Sequence, residues 1–159
     1  MTIQFEPIGV IHSPFKELEG MPIQPKGAAD VKGMVEVFEP YREGLDDLDG
    51  FSHVYLIYHF HLSQGYKLHI IPFMDDVARG LFSTRAPKRP NPIGFSIVAL
   101  DSVADGLLHI RNVDVLDGTP LLDIKPFAPE FDAQENVRTG WLEKAGRSVS
   151  GRRADDRFK

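Results

Sequence analysis

Phe51 to Leu62, FSHVYLIYHFHL, limits the possible folds of this chain more than any other stretch. It is crowded with aromatic and β-branched residues, which suit a pleated, half-buried strand. Alternation gives it two faces. Ser52, Val54, Leu56, Tyr58, Phe60 and Leu62 share the face expected to line a core. Phe51, His53, Tyr55, Ile57, His59 and His61 share the other, which carries three of the six histidines.

Partners for this strand are read on both sides of it. Gln4 to His12 is expected as a first strand, stopped by Ser13-Pro14. Residues 13–30 are rich in Pro and Gly and predict a long irregular segment. Val31 to Phe38 alternates as a second strand. Pro40 to Gly50 reads as a short acidic helix or turn, with Leu45 and Leu48 as inward anchors. Lys67 to Met74 is expected as a strand and Asp75 to Gly80 as a turn. Phe95 to Val103 and Leu107 to Val115 flank Asp105-Gly106, a hairpin-type pair. A tight turn over Leu116 to Pro120 leads into Leu121 to Ile124. A helical pattern emerges only after Pro129, around Gly140 to Ala145. Many short strands and few helices point to an all-β sandwich or closed barrel.

The most rigid segment is Ser83 to Ser96, STRAPKRPNPIGFS. Pro87, Pro90 and Pro92 fix their own φ and push Ala86, Arg89 and Asn91 towards extended backbone. The segment therefore reads as a stiff arm presenting Arg85, Lys88, Arg89 and Asn91. Stiffness lowers the entropy lost on binding, which suits a loop that grips a ligand. A surface linker with solvated charges is the plainer alternative.

Length and charge narrow the classes. A chain of 159 residues suits one domain. There is no cysteine, hence no disulfide framework and no thiolate, which fits a reducing cytosol. No secretory leader is visible, and no apolar run approaches the roughly 20 residues that cross a bilayer. The formal net charge is −5. It is unevenly spread: residues 1–50 hold four Lys/Arg against ten Asp/Glu, residues 67–89 five against two. A local basic patch can meet phosphate even on an acidic protein.

Several chemistries lack their motifs. Neither GxxxxGK[ST] nor GxGxxG is present, which disfavours P-loop and Rossmann nucleotide binders. There is no GxSxG, and Ser83 and Ser96 have no identifiable triad partners. His59 and His61 lie two apart on one strand face, yet no HExxH, cysteine or paired carboxylate accompanies them. No metal is expected. The turn in Asp114 to Pro126, DVLDGTPLLDIKP, leaves backbone groups free, and Asp114 and Asp117 can accept from an amine or a ribose. An ordinary hairpin whose Asp residues cap their own backbone is the alternative.

Taken together, Ile8 to Glu17 (IGVIHSPFKE), Phe51-Ser52-His53, Ser83 to Gly94 (STRAPKRPNPIG) and Leu116 to Phe127 (LDGTPLLDIKPF) resemble the signature blocks of the TsaA-like family, which includes the TrmO-type tRNA methyltransferases. The blocks keep their order across nearly all of residues 3–129. Gly140-Trp141-Leu142 and Ala154 to Phe158 (ADDRF) are similar to the short, single-domain members; longer relatives continue into a further C-terminal domain.

The resemblance implies a single closed β-barrel over residues 1–135. Residues 136–159 would be an extension of it, a candidate for docking on a second subunit. It implies S-adenosylmethionine bound without a Rossmann fold, in a homodimer with the cofactor near the subunit interface. By matching blocks, cofactor contacts fall on Pro14, Phe15, Lys16, His61, Leu62, Arg85, Phe95, Asp114, Val115, Leu116 and Asp117. Leu62 would contribute through its backbone. The implied reaction methylates the exocyclic nitrogen of threonylcarbamoyl-adenosine next to the anticodon of tRNA, in the cytoplasm. His61 or Asp114 would take the proton and Asn91 would read a base or amide edge. Lys88, Arg89 and Asn91 would meet the substrate. A same-fold methyltransferase with a small-molecule acceptor and a non-catalytic cofactor-binding module are the other readings. Trp141 and Phe158 would contact the partner subunit, or Trp141 would pack on its own barrel.

Overall fold

The computed structural model describes residues 1–22 and 25–145. Phe158 and the rest of residues 146–159 lie outside it. Six strands carry the architecture: β1 (Gly9–His12), β2 (Lys32–Val37), β3 (His53–His59), β6 (Ile93–Ala104), β7 (Leu107–Arg111) and β8 (Thr119–Pro126). They close into a barrel in the order β1-β2-β7-β6-β3-β8, every neighbouring pair antiparallel. Of the two architectures the strand pattern allows, the closed barrel is the one that forms. Two short strands, β4 (His69–Ile70) and β5 (Arg79–Gly80), pair with each other outside the ring.

The alternation in β3 predicts its burial well. Val54, Leu56 and Tyr58 point inwards and are buried. They pack with Ile11, Val35, Val37, Val98, Leu108, Ile110, Val113 and Leu121 in one core. Fully burying each such aliphatic side chain contributes about 1.5–3 kcal/mol. Leu48 and, less deeply, Leu45 also reach this core, as the reading of Pro40 to Gly50 predicts; the stretch forms short 3₁₀ turns, Glu39–Leu45 and Leu48–Gly50. Asp105 (φ 53°) and Gly106 (φ 78°) turn β6 into β7 with both residues left-handed, as a two-residue hairpin requires.

Several expectations need correction. The first strand starts at Gly9, not Gln4. The strand expected over 51–62 ends at His59, where the chain turns: the Ser63 amide bonds the Phe60 carbonyl at 2.9 Å. Leu62 is therefore not a core residue and is 58% exposed. Only His69–Ile70 of the expected 67–74 strand pairs, and its partner β5 lies in the stretch read as a turn. β7 stops at Arg111 rather than Val115. β8 starts at Thr119, inside the expected turn, and runs on to Pro126. The helical segment at the C-terminal side is α2 (Leu142–Ala145), and a second short helix, α1 (Pro129–Asp132), precedes it.

The registers fix the placement of the loops. Ile11 pairs with Thr119, His59 with Ile93, and Lys32 with Arg111. The loops after β1, after β3, before β6 and between β7 and β8 consequently emerge at one end of the barrel. Among the described residues, no helix is long and apolar enough to cross a membrane.

Candidate functional site

At that end, the segment after β1 is stitched to the loop before β8. The Ser13 hydroxyl donates to the Val115 carbonyl at 2.5 Å, and the Ser13 amide donates to Asp117 Oδ1 at 3.0 Å. The Asp117 amide returns a bond to the Phe15 carbonyl at 2.8 Å, and Gly118 donates to Ile11 at 2.9 Å. Lys16 Nζ pairs with Asp117 Oδ2. These bonds bring Pro14, Phe15, Lys16, Val115, Leu116 and Asp117 together from opposite parts of the sequence. Lys16 and the Ser13 amide hold the Asp117 carboxyl below the usual carboxylate range.

The proline-rich arm is fixed from within. Thr84 Oγ1 donates to the Leu81 carbonyl at 2.7 Å, and the Arg89 guanidinium donates to the carbonyls of Thr84 and Ala86 at 2.9 and 3.2 Å. Arg89 also lies 5.8 Å from the centroid of the Phe82 ring. Its charge thus braces the arm as well as marking it. The Phe60 amide bonds the Pro92 carbonyl at 2.8 Å, which seats the His61–Leu62 turn against Asn91–Ile93.

Between these two halves runs a polar chain. Tyr58 OH lies 2.9 Å from Ser96 Oγ, and Ser96 Oγ donates to Asp114 Oδ1 at 2.7 Å. Ser96 spends its single proton on the carboxylate, so Tyr58 is the donor to Ser96. Ser96 is 2% exposed. Burial pushes the Asp114 carboxyl up to about 7; the Ser96 bond and the nearby Arg85 charge offset part of the rise. Burial, and then the Asp114 charge, pushes the Tyr58 phenol up as well. Arg85 itself rests over Phe95, 4.9 Å from the ring centroid. A carboxyl that changes state near neutrality, beside a cation and at a loop-lined rim, suits proton transfer.

Of the residues singled out in the sequence, Pro14 to Lys16, His61, Leu62, Arg85, Asn91, Phe95 and Asp114 to Asp117 all belong to loops or strand ends at this rim. Lys88 and Arg89 sit on the arm beside them. The sequence assigns Tyr58 and Ser96 no place in the site, because an inward-facing Tyr reads as core and Ser96 has no nucleophile motif around it. Among the described residues, no group of three or more His, Asp or Glu is gathered as metal ligands. His53 and His59 lie on the outer wall of the barrel. Trp141 packs on its own chain: its indole donates to the Ser83 carbonyl at 2.8 Å, and Arg79 lies 5.7 Å from its ring centroid.

A closed antiparallel barrel whose polar groups converge from loops at one rim, with no glycine-rich strand–helix turn, defines the class of a loop-built binding domain. The chain belongs to the family of the tRNA-methyltransferase O N-terminal domain, whose model matches residues 10–133. It is 54% identical over 158 residues to a probable S-adenosyl-L-methionine-binding protein of Pyrococcus abyssi, covering 99% of this chain and 86% of that one. It is 33% identical to the tRNA (adenine(37)-N6)-methyltransferase of Escherichia coli, covering 91% of this chain and 66% of the enzyme. The crystal structure of TrmO from Pseudomonas aeruginosa superposes with a TM-score of 0.75 at 39% identity, over 89% of this chain and 63% of that protein. The chain therefore spans about two thirds of the bacterial proteins it matches.

Proposed function

We propose that this protein is an S-adenosylmethionine-dependent methyltransferase that acts on N6 of threonylcarbamoyl-adenosine next to the anticodon of tRNA. The observation that carries the reading is the Tyr58–Ser96–Asp114 chain ending beside Arg85, within a domain of the tRNA-methyltransferase O family.

The groups at the rim fit the cofactor. Arg85 suits its carboxylate, because a guanidinium fork matches two oxygens. Asp114 and Asp117 are acceptors for ribose hydroxyls or an amine. Phe15 and Phe95 offer aromatic faces, and the His61–Leu62 turn offers backbone. When bound, S-adenosylmethionine supplies a methyl carbon activated by a sulfonium. The acceptor nitrogen belongs to a urea-like group and must lose a proton as it gains the methyl. Asp114 is placed to hold that proton, since a carboxyl titrating near neutrality is both ionised enough to accept and basic enough to keep it. His61, at the same rim, is the other candidate. The remaining rim residues position rather than react, as expected for a displacement dominated by alignment.

The tRNA reading rests on the 60–92 excursion. It holds a local basic excess, five Lys/Arg against two Asp/Glu over residues 67–89, and Phe82 stands 74% exposed on it. Exposed aromatics beside arginines are platforms for unpaired bases. Lys88, Arg89 and Asn91 lie on the same excursion. Residues 1–135 form the catalytic barrel in this reading, and residues 136–159 an extension of it.

A homodimer is part of the proposal. The outer wall of β3 and β6 carries Tyr55, Ile57, Phe95 and Ile97, and Phe127 follows the end of β8 beside them. Tyr55 lies 5.8 Å from Phe127 and 6.4 Å from Phe95 by ring centroids. Phe131, nearby on α1, is 83% exposed. Phe95 also underlies Arg85, so a second copy seated on this wall would complete the rim. Light scattering should give twice 17.8 kDa.

The direct test incubates the protein and methyl-labelled cofactor with tRNA that carries or lacks the threonylcarbamoyl group. Label is expected only in the carrying tRNA. Equal labelling of both, or of neither, would remove the assignment.

A further inference from the structure

We propose that Tyr58 and Ser96 are positioning residues that hold and tune Asp114 through a hydrogen-bonded line running from the barrel core to the rim. The inference rests on Asp114 being the proton acceptor in the reading above. Three strands or loops meet in it. Tyr58 comes from β3, Ser96 from β6, and Asp114 from the loop before β8, with contacts of 2.9 and 2.7 Å. Ser96 is almost wholly buried, so water cannot replace either partner cheaply.

The direction of the line is set by proton count. Tyr58 donates to Ser96, and Ser96 donates to the carboxylate, so each hydroxyl strengthens the next as a donor. The line favours the ionised carboxylate, whereas burial favours the neutral acid. Arg85 is the nearby cation and Tyr58 the nearby titratable group from the elements around Asp114. The balance leaves a carboxylate able to take a proton and give it up again. A carboxylate without the Ser96 bond would take the proton too early and remain an acid at neutral pH.

The arrangement also accounts for part of the rigid segment 83–96, in its stretch PNPIGFS, residues 90–96. Its Ser96 is the middle of the line. Its Gly94 makes room for the Tyr58 ring, since a Cβ there would lie 2.4 Å from Cε2 of Tyr58. The ring is further held by an edge contact to Phe60, 5.4 Å between centroids. These two residues of the run therefore aim the hydroxyl of a residue far outside it.

The test uses the full chain free of cofactor. Carboxyl-carbon NMR should show Asp114 of the wild type titrating near pH 7. Ser96→Ala should raise that midpoint by about half a pH unit or more, because a bond favouring the ionised form is gone. Tyr58→Phe keeps the ring and should raise it less; it carries the test if Ser96→Ala fails to fold. The acidic limb of the methyl-transfer rate against pH should move by the same amount in each variant. Unmoved midpoints in the folded variants would overturn the proposal while leaving Asp114 as base. Midpoints that move while the rate profile stays put, or full turnover by Asp114→Asn, would instead remove the base assignment, and the relay role with it.

Discussion

Gly94 and Tyr58 share one space: the phenol ring of Tyr58 occupies the position that a side chain on Gly94 would need, 2.4 Å from its Cε2. The Phe60 ring closes the same space from another side at 2.6 Å. Gly94→Ala should therefore force the Tyr58 ring aside. Overpacking of this kind costs about 1–3 kcal/mol. Urea unfolding checks the loss. The variant should also take the Tyr58 hydroxyl away from Ser96, so its activity should fall further than its stability explains.

Arg85→Ala should weaken S-adenosylmethionine binding by a few kcal/mol, the scale of a shielded charge-assisted pair to a carboxylate. Stability should change little, because the side chain is exposed and its ring partner Phe95 lies on the surface. Calorimetric titration of the folded variant reads the affinity directly. An unchanged dissociation constant would remove Arg85 from the cofactor site.

Asp114 should weigh on stability at neutral and alkaline pH. Its carboxyl titrates near 7 in the folded chain and near 3.8 when unfolded. Between those values the folded state binds the extra proton, so stability is greatest below pH 4 for this group and falls as pH rises to 7. The full loss is at most about 4 kcal/mol. Asp114→Asn should flatten this part of the stability–pH curve and unfold at higher urea than the wild type at pH 8. Equal midpoints for the two proteins at pH 8 would contradict the buried-carboxyl account.

Asp117 and Lys16 form an ion pair of a different kind. Lys16 is mostly exposed, so Lys16→Ala should cost under about 1 kcal/mol. Asp117→Ala should cost more, because the Ser13 amide loses its acceptor too. Comparing their unfolding free energies at pH 7 separates the pair from the backbone bond. A larger loss for Lys16→Ala would reverse that ranking.

What the sequence reveals, and what it hides, follows from how far each feature depends on its surroundings. The inward face Val54, Leu56, Tyr58 is legible because period-two alternation is local. The Asp105-Gly106 turn is legible because few other residues accept two left-handed conformations in succession. The Tyr58–Ser96–Asp114 line is not: its members lie 38 and 18 positions apart and meet only when β3 pairs with β6. Arg89 illustrates a second limit. A guanidinium that braces its own loop and one that faces a ligand are written identically. The short pairing of His69–Ile70 with Arg79–Gly80 is hidden for a third reason, since strands of two residues leave no periodicity to read.

Closure of the ring has one more consequence. With β8 returning to β1, each of the six barrel strands has a hydrogen-bonded neighbour on both sides over part of its length. Over those paired lengths another polypeptide cannot join the barrel by extending its sheet. There, a subunit or RNA must recognise it through side chains on the wall or at the rim. Recognition specified in that way can be rewritten one residue at a time, while the backbone beneath stays the same.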